Sequence, residues 1–232
     1  NLKKGLDERT PDAEAEYDSM ETVNAIMDAL AAAGHVPVPI EADGDFVENL
    51  KHASVDVVFN IAEGGRGRAR EGQVPAILEM LGIPYTGSDP TTLCMALDKS
   101  LTKRYLSTAH IVTPRSQLIK TYDYDLDSSL RYPLIVKPNS EGSSKGISDV
   151  AVARTEGELR RTLLRNLRLY GVDMLVEEYI AGREFTVGLI GNGDKLCAFA
   201  PMEIIYLKGT GTERVYSYQV KRNYEKYIGY KC

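Results

Sequence analysis

The feature that most constrains the fold is an apolar run, YPLIV, that leaves the interior through a lysine and opens into KPNSEGSSKGI (137–147). A buried strand ending in this way commits the chain to a sheet that carries a polar loop at the strand's carboxyl end. Three serines and two glycines leave the loop's backbone N–H groups uncovered, glycine permits the φ > 0 turns that converge them, and the hydroxyls add donors. Such a loop suits a phosphate. The same residues also build solvated hairpin tips, so from this stretch alone both readings stand.

Upstream, the hydrophobic spacing alternates between strand and helix. Met20, Val23, Met27 and Leu30 recur at helical spacing within Ser19–Ala33, with Gly34 as a stop, and VPVPI (36–40) reads as a strand. DVVFNI (56–61) is a continuous apolar run of the parallel-sheet kind and empties into AEGGRGRAREG. Val74, Ile77, Leu78 and Leu81 then mark another helix, followed by GIPYTGS (82–88) as a short strand and turn. This alternation predicts an α/β, small doubly wound N-terminal domain over 1–91, with ligands beyond the carboxyl ends of its strands, where the AEGGRGRAREG loop lies.

The pattern changes after residue 92. Leu93, Leu97, Leu101 and Tyr105 predict one helix carrying ALDKSLTK, VTPRSQLI (112–119) a strand, and 120–132 a surface connection. YPLIVKP and ISDVAVA flank the Ser/Gly loop as strands; a helix over 156–170 follows, with Thr155 as N-cap and Gly171 as stop. DMLVEEYI (173–180) is a further strand, and EFTVGLI and KLCAFAPMEII flank GNGD as a hairpin. Antiparallel strands beside helices make this half α+β, divided into 92–181 and 182–232.

Composition narrows the partners. A formal net charge of −5 disfavours nucleic acid, whose backbone calls for a concentrated basic surface. Cys94, Cys197 and Cys232 have neither disulfide-framework nor metal spacing, which fits a reducing, cytoplasmic setting. No apolar run approaches a membrane span, so no membrane partner is expected. The opening NLKKG lacks a preceding strand and YIGYKC stops directly after a polar, aromatic stretch, so the chain is read as part of a longer protein.

In order along the chain, NIAEG, GIPYTGS, LDKSLTK, TPR, PLIVKPNSEGSSKGIS, LVEEYIAGREFTV, PMEI and VYSYQVK resemble the ATP-grasp ligases, most closely the D-alanine–D-alanine ligases. The resemblance implies ATP as cofactor, with Lys99 and Lys137 approaching its phosphates and Glu141, Gly142, Ser143 and Ser144 closing over them as a lid. It puts the adenine against Glu177, Glu178, Tyr179 and Ile180 and the ribose on Glu184. Lys221 matches a mobile-loop lysine reaching the terminal phosphate, with Tyr216 in the same loop; read alone, VYSYQVK is an exposed edge strand. Near the start the family places a glutamate that orients an amino acid's ammonium. Glu14 or Glu16 fills that place, and Glu16 joins Ser143 and Lys221 as the catalytic candidates.

The resemblance implies that a carboxylate is phosphorylated by ATP and an amine attacks the acyl phosphate, with water excluded because hydrolysis competes. The expected partner is a small-molecule amino acid or D-amino acid, and a homodimer stays open. Glu63 stands where many of these ligases carry histidine, and Arg66, Arg68 and Arg70 follow, so a carboxylate-binding arginine is expected to replace the missing cation; read alone, the three arginines are equally surface charge. Arg222 stands where a tyrosine is expected, with Tyr224 nearby. The family's Mg²⁺ ligands are expected beyond Cys232, and no residue of this chain is assigned to a metal. A non-catalytic ATP-grasp module that binds nucleotide is the alternative reading.

Overall fold

A computed structural model describes residues 1–3, 10, 12–147, 151–207 and 214–232. These fall into two compact units, Asn1–Thr113 with Asn139–Lys145, and Pro114–Pro138 with Gly146–Cys232.

In the first unit, α1 (Met20–Ala32) starts at Ser19, whose hydroxyl accepts the Thr22 N–H at 3.3 Å. Its expected inward face is not buried, and Met20 is half exposed. The strand expected at 36–40 does not form either: Val36 is 91 % exposed and the segment joins no ladder. Both features need a neighbouring strand to cover them, and the described residues supply none. From DVVFNI only Val58 pairs, in a parallel bridge to Tyr85. The core of this unit is instead helical. Phe46 and Leu50 of α2 (Phe46–Ala53) meet Val74 and Leu78 of α3 (Gln73–Leu81), with Val58, Ile77, Leu81 and Tyr85 packed around them.

The single helix expected through Leu93 and Tyr105 is two, α4 (Pro90–Leu97) and α5 (Lys99–Thr108). Asp98 breaks it, with an extended backbone (φ −86, ψ 96) and a side chain that caps α5 by accepting the Leu101 N–H at 3.0 Å.

The second unit is built on a four-stranded antiparallel sheet in the order β1-β4-β2-β3, where β1 is Ser116–Ile119, β2 Leu134–Pro138, β3 Val152–Ala153 and β4 Met174–Glu178. Residues 148–150 of the expected ISDVAVA strand lie outside the described residues. Helix α6 (Glu156–Tyr170) covers one face: Leu159 and Leu163 pack on Leu134, Val136, Met174 and Val176. The period-2 alternation of β2 therefore turns Ile135 and Lys137 to the other face. Both predicted caps of α6 form. Thr155 accepts the Glu158 N–H at 3.3 Å, and Gly171 ends the helix at φ 63. Thr155→Ala is expected to cost about 1 kcal/mol, read as a shift in denaturation midpoint without change in slope.

The predicted GNGD hairpin forms, with β6 (Leu189–Ile190) paired to β7 (Cys197–Ala198) and, further out, β5 (Glu184–Thr186) to β8 (Met202–Tyr206). VYSYQVK is no edge strand. Ser217 caps a short helix, α7 (Tyr218–Arg222), whose Val220 is buried, and after α8 (Tyr224–Tyr227) the edge position beside β8 goes to β9 (Ile228–Lys231). Among the described residues no helix is long and apolar enough to cross a membrane.

Candidate functional site

In the first unit the Ser/Gly loop is fixed at its entry by the break between α4 and α5. Asn139 donates to Asp98 Oδ1 at 2.8 Å and accepts from the Ser100 N–H at 2.9 Å, while the Lys99 N–H donates to the Asn139 carbonyl at 3.0 Å. The Lys99 ammonium donates to the Glu141 carbonyl at 2.5 Å, which puts a cation on the loop backbone. Further along, the Gly142 N–H donates to Glu16, and the Lys145 N–H closes the turn onto the Gly142 carbonyl at 2.9 Å.

The turn is made differently from the sequence expectation. The left-handed residues are Ser143 (φ 46), Ser144 (φ 59) and Gly146 (φ 74), and not Gly142. What Gly142 supplies is clearance: a Cβ there would stand 3.0 Å from Glu16 Oε1. Two non-glycine residues at positive φ are costly, and the hydrogen bonds gripping the loop on either side offset that cost.

Glu16 is buried at 8 % exposure and receives the Arg70 fork, Nε at 3.1 Å to Oε2 and Nη2 to Oε1. Arg70 also pairs with Glu141 at 3.4 Å. Of the other arginines, Arg68 reaches Asp98 at 2.8 Å and Arg66 is exposed. The pKa of Glu63 is pushed up to about 7 by burial and by the neighbouring carboxylates Glu71 and Glu16; Glu71 is raised as well, chiefly by burial. Glu63 therefore joins an acidic group that holds a proton near neutrality.

This makes stability pH-dependent with a defined sign. Between the ordinary 4.5 and about 7 the folded chain binds a proton at Glu63 that the unfolded chain does not, so this term stabilises below the window and is lost as pH rises through it. Glu63→Gln is expected to stabilise the protein by about 1–2 kcal/mol more at pH 8 than at pH 4.5, after discounting for solvent screening. Urea unfolding at the two pH values measures it, and an equal effect at both would remove the Glu63 assignment.

In the second unit, Lys137 and Glu177 share the sheet face opposite α6, and the ammonium donates to the carboxylate at 2.9 Å. Glu178 accepts the Arg131 N–H at 3.0 Å. The Tyr179 N–H donates to the Pro133 carbonyl at 2.9 Å and its hydroxyl to the Arg214 carbonyl at 2.9 Å; Ile180 is 66 % exposed. Glu184 accepts the Tyr206 hydroxyl at 2.8 Å, an interaction that pushes the Tyr206 pKa far up together with burial, the larger cause. Lys221 lies on α7 with its ammonium 5.4 Å from the Tyr216 ring centre, and the Tyr216 hydroxyl is 3.0 Å from that of Tyr230.

Sequence reasoning missed Glu71, Asp98, Asn139 and Tyr206. Asp98 carried a signal, being an N-cap type ahead of a helix; for Asn139 and Tyr206 the partners are distant in the chain, and no local pattern marks them.

Residues 109–231 match the family described as "D-ala D-ala ligase C-terminus". The D-alanine–D-alanine ligase of Halalkalibacterium halodurans is 33 % identical over 206 residues, covering 88 % of this chain and 64 % of that protein. Its counterpart from Marinomonas sp. is 36 % identical over 210 residues, covering 88 % and 62 %. This chain therefore spans somewhat less than two thirds of those relatives' length. Among solved structures, D-alanine–D-alanine ligase from Bacillus anthracis superposes with a TM-score of 0.64 at 26 % identity, covering 85 % of this chain and 61 % of that one. The same enzyme in complex with ATP gives 0.65 at 25 %. The ordered motifs, the α+β sheets and the match over more than half its length together make this chain a member of the D-alanine–D-alanine ligase family, with the ATP-grasp fold.

Proposed function

We propose that the chain belongs to an ATP-dependent carboxylate–amine ligase that joins two amino acids, of which D-alanine is the first to test. The γ-phosphoryl group passes to the carboxylate of one amino acid and ADP leaves. The amine of the second then attacks the acyl carbon, expelling phosphate and losing a proton as the C–N bond forms. The observation that carries this reading is the convergence on one loop, 139–145, of the Lys99 ammonium and the buried Glu16 carboxylate.

Lys99, Lys137 and the N–H groups of Ser143 and Ser144 are the groups that would bind phosphate, the lysines as compact charges and the loop by closing out water, while the Gly142 N–H is held by Glu16. Glu16 suits a substrate ammonium. A carboxylate offers about four lone-pair sites, and Arg70 and Gly142 take three of them, leaving one directed contact. Glu177, Glu178, Tyr179 and Ile180 are proposed at the adenine, Glu184 at the ribose, Lys221 at the terminal phosphate, and Glu63 and Tyr216 on the amino-acid side. The corresponding division is a substrate-side domain over 1–91, a central ATP-grasp subdomain over 92–181 and, over 182–232, the start of a C-terminal one.

Phosphoryl transfer from ATP ordinarily uses Mg²⁺, which shields the charge gathered between donor and acceptor. Among the described residues no group of three or more His, Cys, Asp or Glu side chains is arranged to hold a metal ion.

The test is ADP release and dipeptide formation by the full-length protein with ATP and a panel of D- and L-amino acids. Product that depends on both ATP and an amino acid is expected. Tight nucleotide binding without any product would overturn the ligase reading and favour a nucleotide-binding module.

A further inference from the structure

We propose that Arg70 is a positioning residue that sets the loop 139–145 against Glu16, and not a ligand for a substrate carboxylate; its kinetic consequences rest on the ligase reading above. Each of its three guanidinium nitrogens is already engaged. Nε and Nη2 fork onto Glu16, Nη1 donates to the Ser140 carbonyl at 2.9 Å, and Nη2 also faces Glu141 Oε2 at 3.4 Å. Arg70 and Glu16 are 7 % and 8 % exposed, so these contacts are made away from water, where a planar fork holds its geometry. Four of its five N–H donors are taken and both on Nη2 are spent on glutamates, so a two-point grip on a substrate carboxylate would have to displace Glu16 or Glu141 and cost a buried acid its partner.

The loop is gripped at two points two residues apart. Arg70 holds the Ser140 carbonyl directly and holds the Gly142 N–H through Glu16. Glu141, between them, meets Arg70 on one side and Lys145 at 2.9 Å on the other. One cation therefore fixes both the candidate ammonium-binding carboxylate and the backbone of the candidate phosphate loop. Lysine keeps the charge at this place but not the planar fork, so the fixed geometry that ties Glu16 to the Ser140 carbonyl is lost.

The test is Arg70→Lys, followed by hydrogen exchange of the 139–145 amides and by steady-state kinetics of the full-length protein. If Arg70 positions the loop, exchange at Gly142 and Lys145 speeds up roughly 10-fold or more. With ligase activity present, kcat falls on the order of 10–100-fold, the amino-acid KM changes less than about 3-fold, and phosphate release without dipeptide rises. A large rise in amino-acid KM with kcat retained and loop exchange unchanged would overturn the proposal in favour of substrate binding. If the protein forms no dipeptide, the ligase reading fails by itself, and exchange alone decides this inference: unchanged protection of Gly142 and Lys145 rejects it. Should Arg70→Lys not fold, Glu16→Gln serves instead, since it weakens the same fork while keeping an oxygen for the Gly142 N–H; faster loop exchange supports the positioning role and unchanged exchange rejects it.

Discussion

Lys137→Ala is expected to weaken ATP binding by about 1–3 kcal/mol, roughly 5- to 150-fold in Kd, because a charge-assisted contact to phosphate is lost. The structure adds a second consequence. Glu177 is 8 % exposed and its carboxylate is paired with Lys137, so the substitution also leaves a buried acid without this partner. That costs stability on the order of 1–3 kcal/mol even with no nucleotide present. The two effects separate in a double variant. Lys137→Ala with Glu177→Gln removes the stranded charge and recovers most of the stability, while ATP affinity stays low. If the double variant instead binds ATP as the native chain does, Lys137 serves only to pair Glu177, and its phosphate role is lost. Calorimetric titration and urea unfolding on the native chain, the two single variants Lys137→Ala and Glu177→Gln, and the double variant give both numbers.

Elements whose determinants are local were legible in the sequence. The helix α6 is bounded as expected because Thr155 and Gly171 act within a turn of themselves, and the GNGD hairpin follows from its turn residues. What failed depends on partners far along the chain. Leu93 to Tyr105 has one continuous helical stripe, yet Asp98 leaves the helix because it gathers Leu101, Ser100, Arg68 and Asn139, the last 41 residues away. VPVPI has strand composition but no strand beside it among the described residues, and β propensity without a ladder does not hold a strand.

The site divides along the same line. Residue types that suit phosphate and ammonium were visible as KPNSEGSSKG, LDK and the early glutamates, because small residues and lysines read as chemistry in any context. Which of them meet was not visible. Three arginines in five residues are equivalent on paper; burial separates them, since Arg70 is enclosed by two glutamates while Arg66 is exposed. The two loop glycines differ in kind: Gly146 takes a left-handed turn as expected, whereas Gly142 gives room for a carboxylate and Ser143 and Ser144 take the other left-handed positions.

Gly64 should be the least replaceable glycine of the NIAEGG segment, and Gly64→Ala is expected to destabilise the first unit by about 3–4 kcal/mol or more. Two penalties add there. The residue sits at φ 74, a left-handed conformation that costs an alanine about 1–2 kcal/mol. In addition, an alanine Cβ would overlap the carbonyl of Arg70, a backbone atom that cannot swing aside as a side chain would. Gly34 isolates the first penalty, since it has φ 89 and nothing within 4 Å of an added Cβ. Gly34→Ala should therefore cost only about 1–2 kcal/mol. The difference between the two variants in urea unfolding measures the clash. Because the displaced carbonyl belongs to Arg70, the same substitution should release Glu16 and Ser140 and speed exchange at Gly142, an effect Gly34→Ala should not share. Equal destabilisation by the two alanines, or loop exchange unaffected in Gly64→Ala, would mean that the backbone of Arg70 has room to move and that the grip on the loop does not depend on where this carbonyl sits.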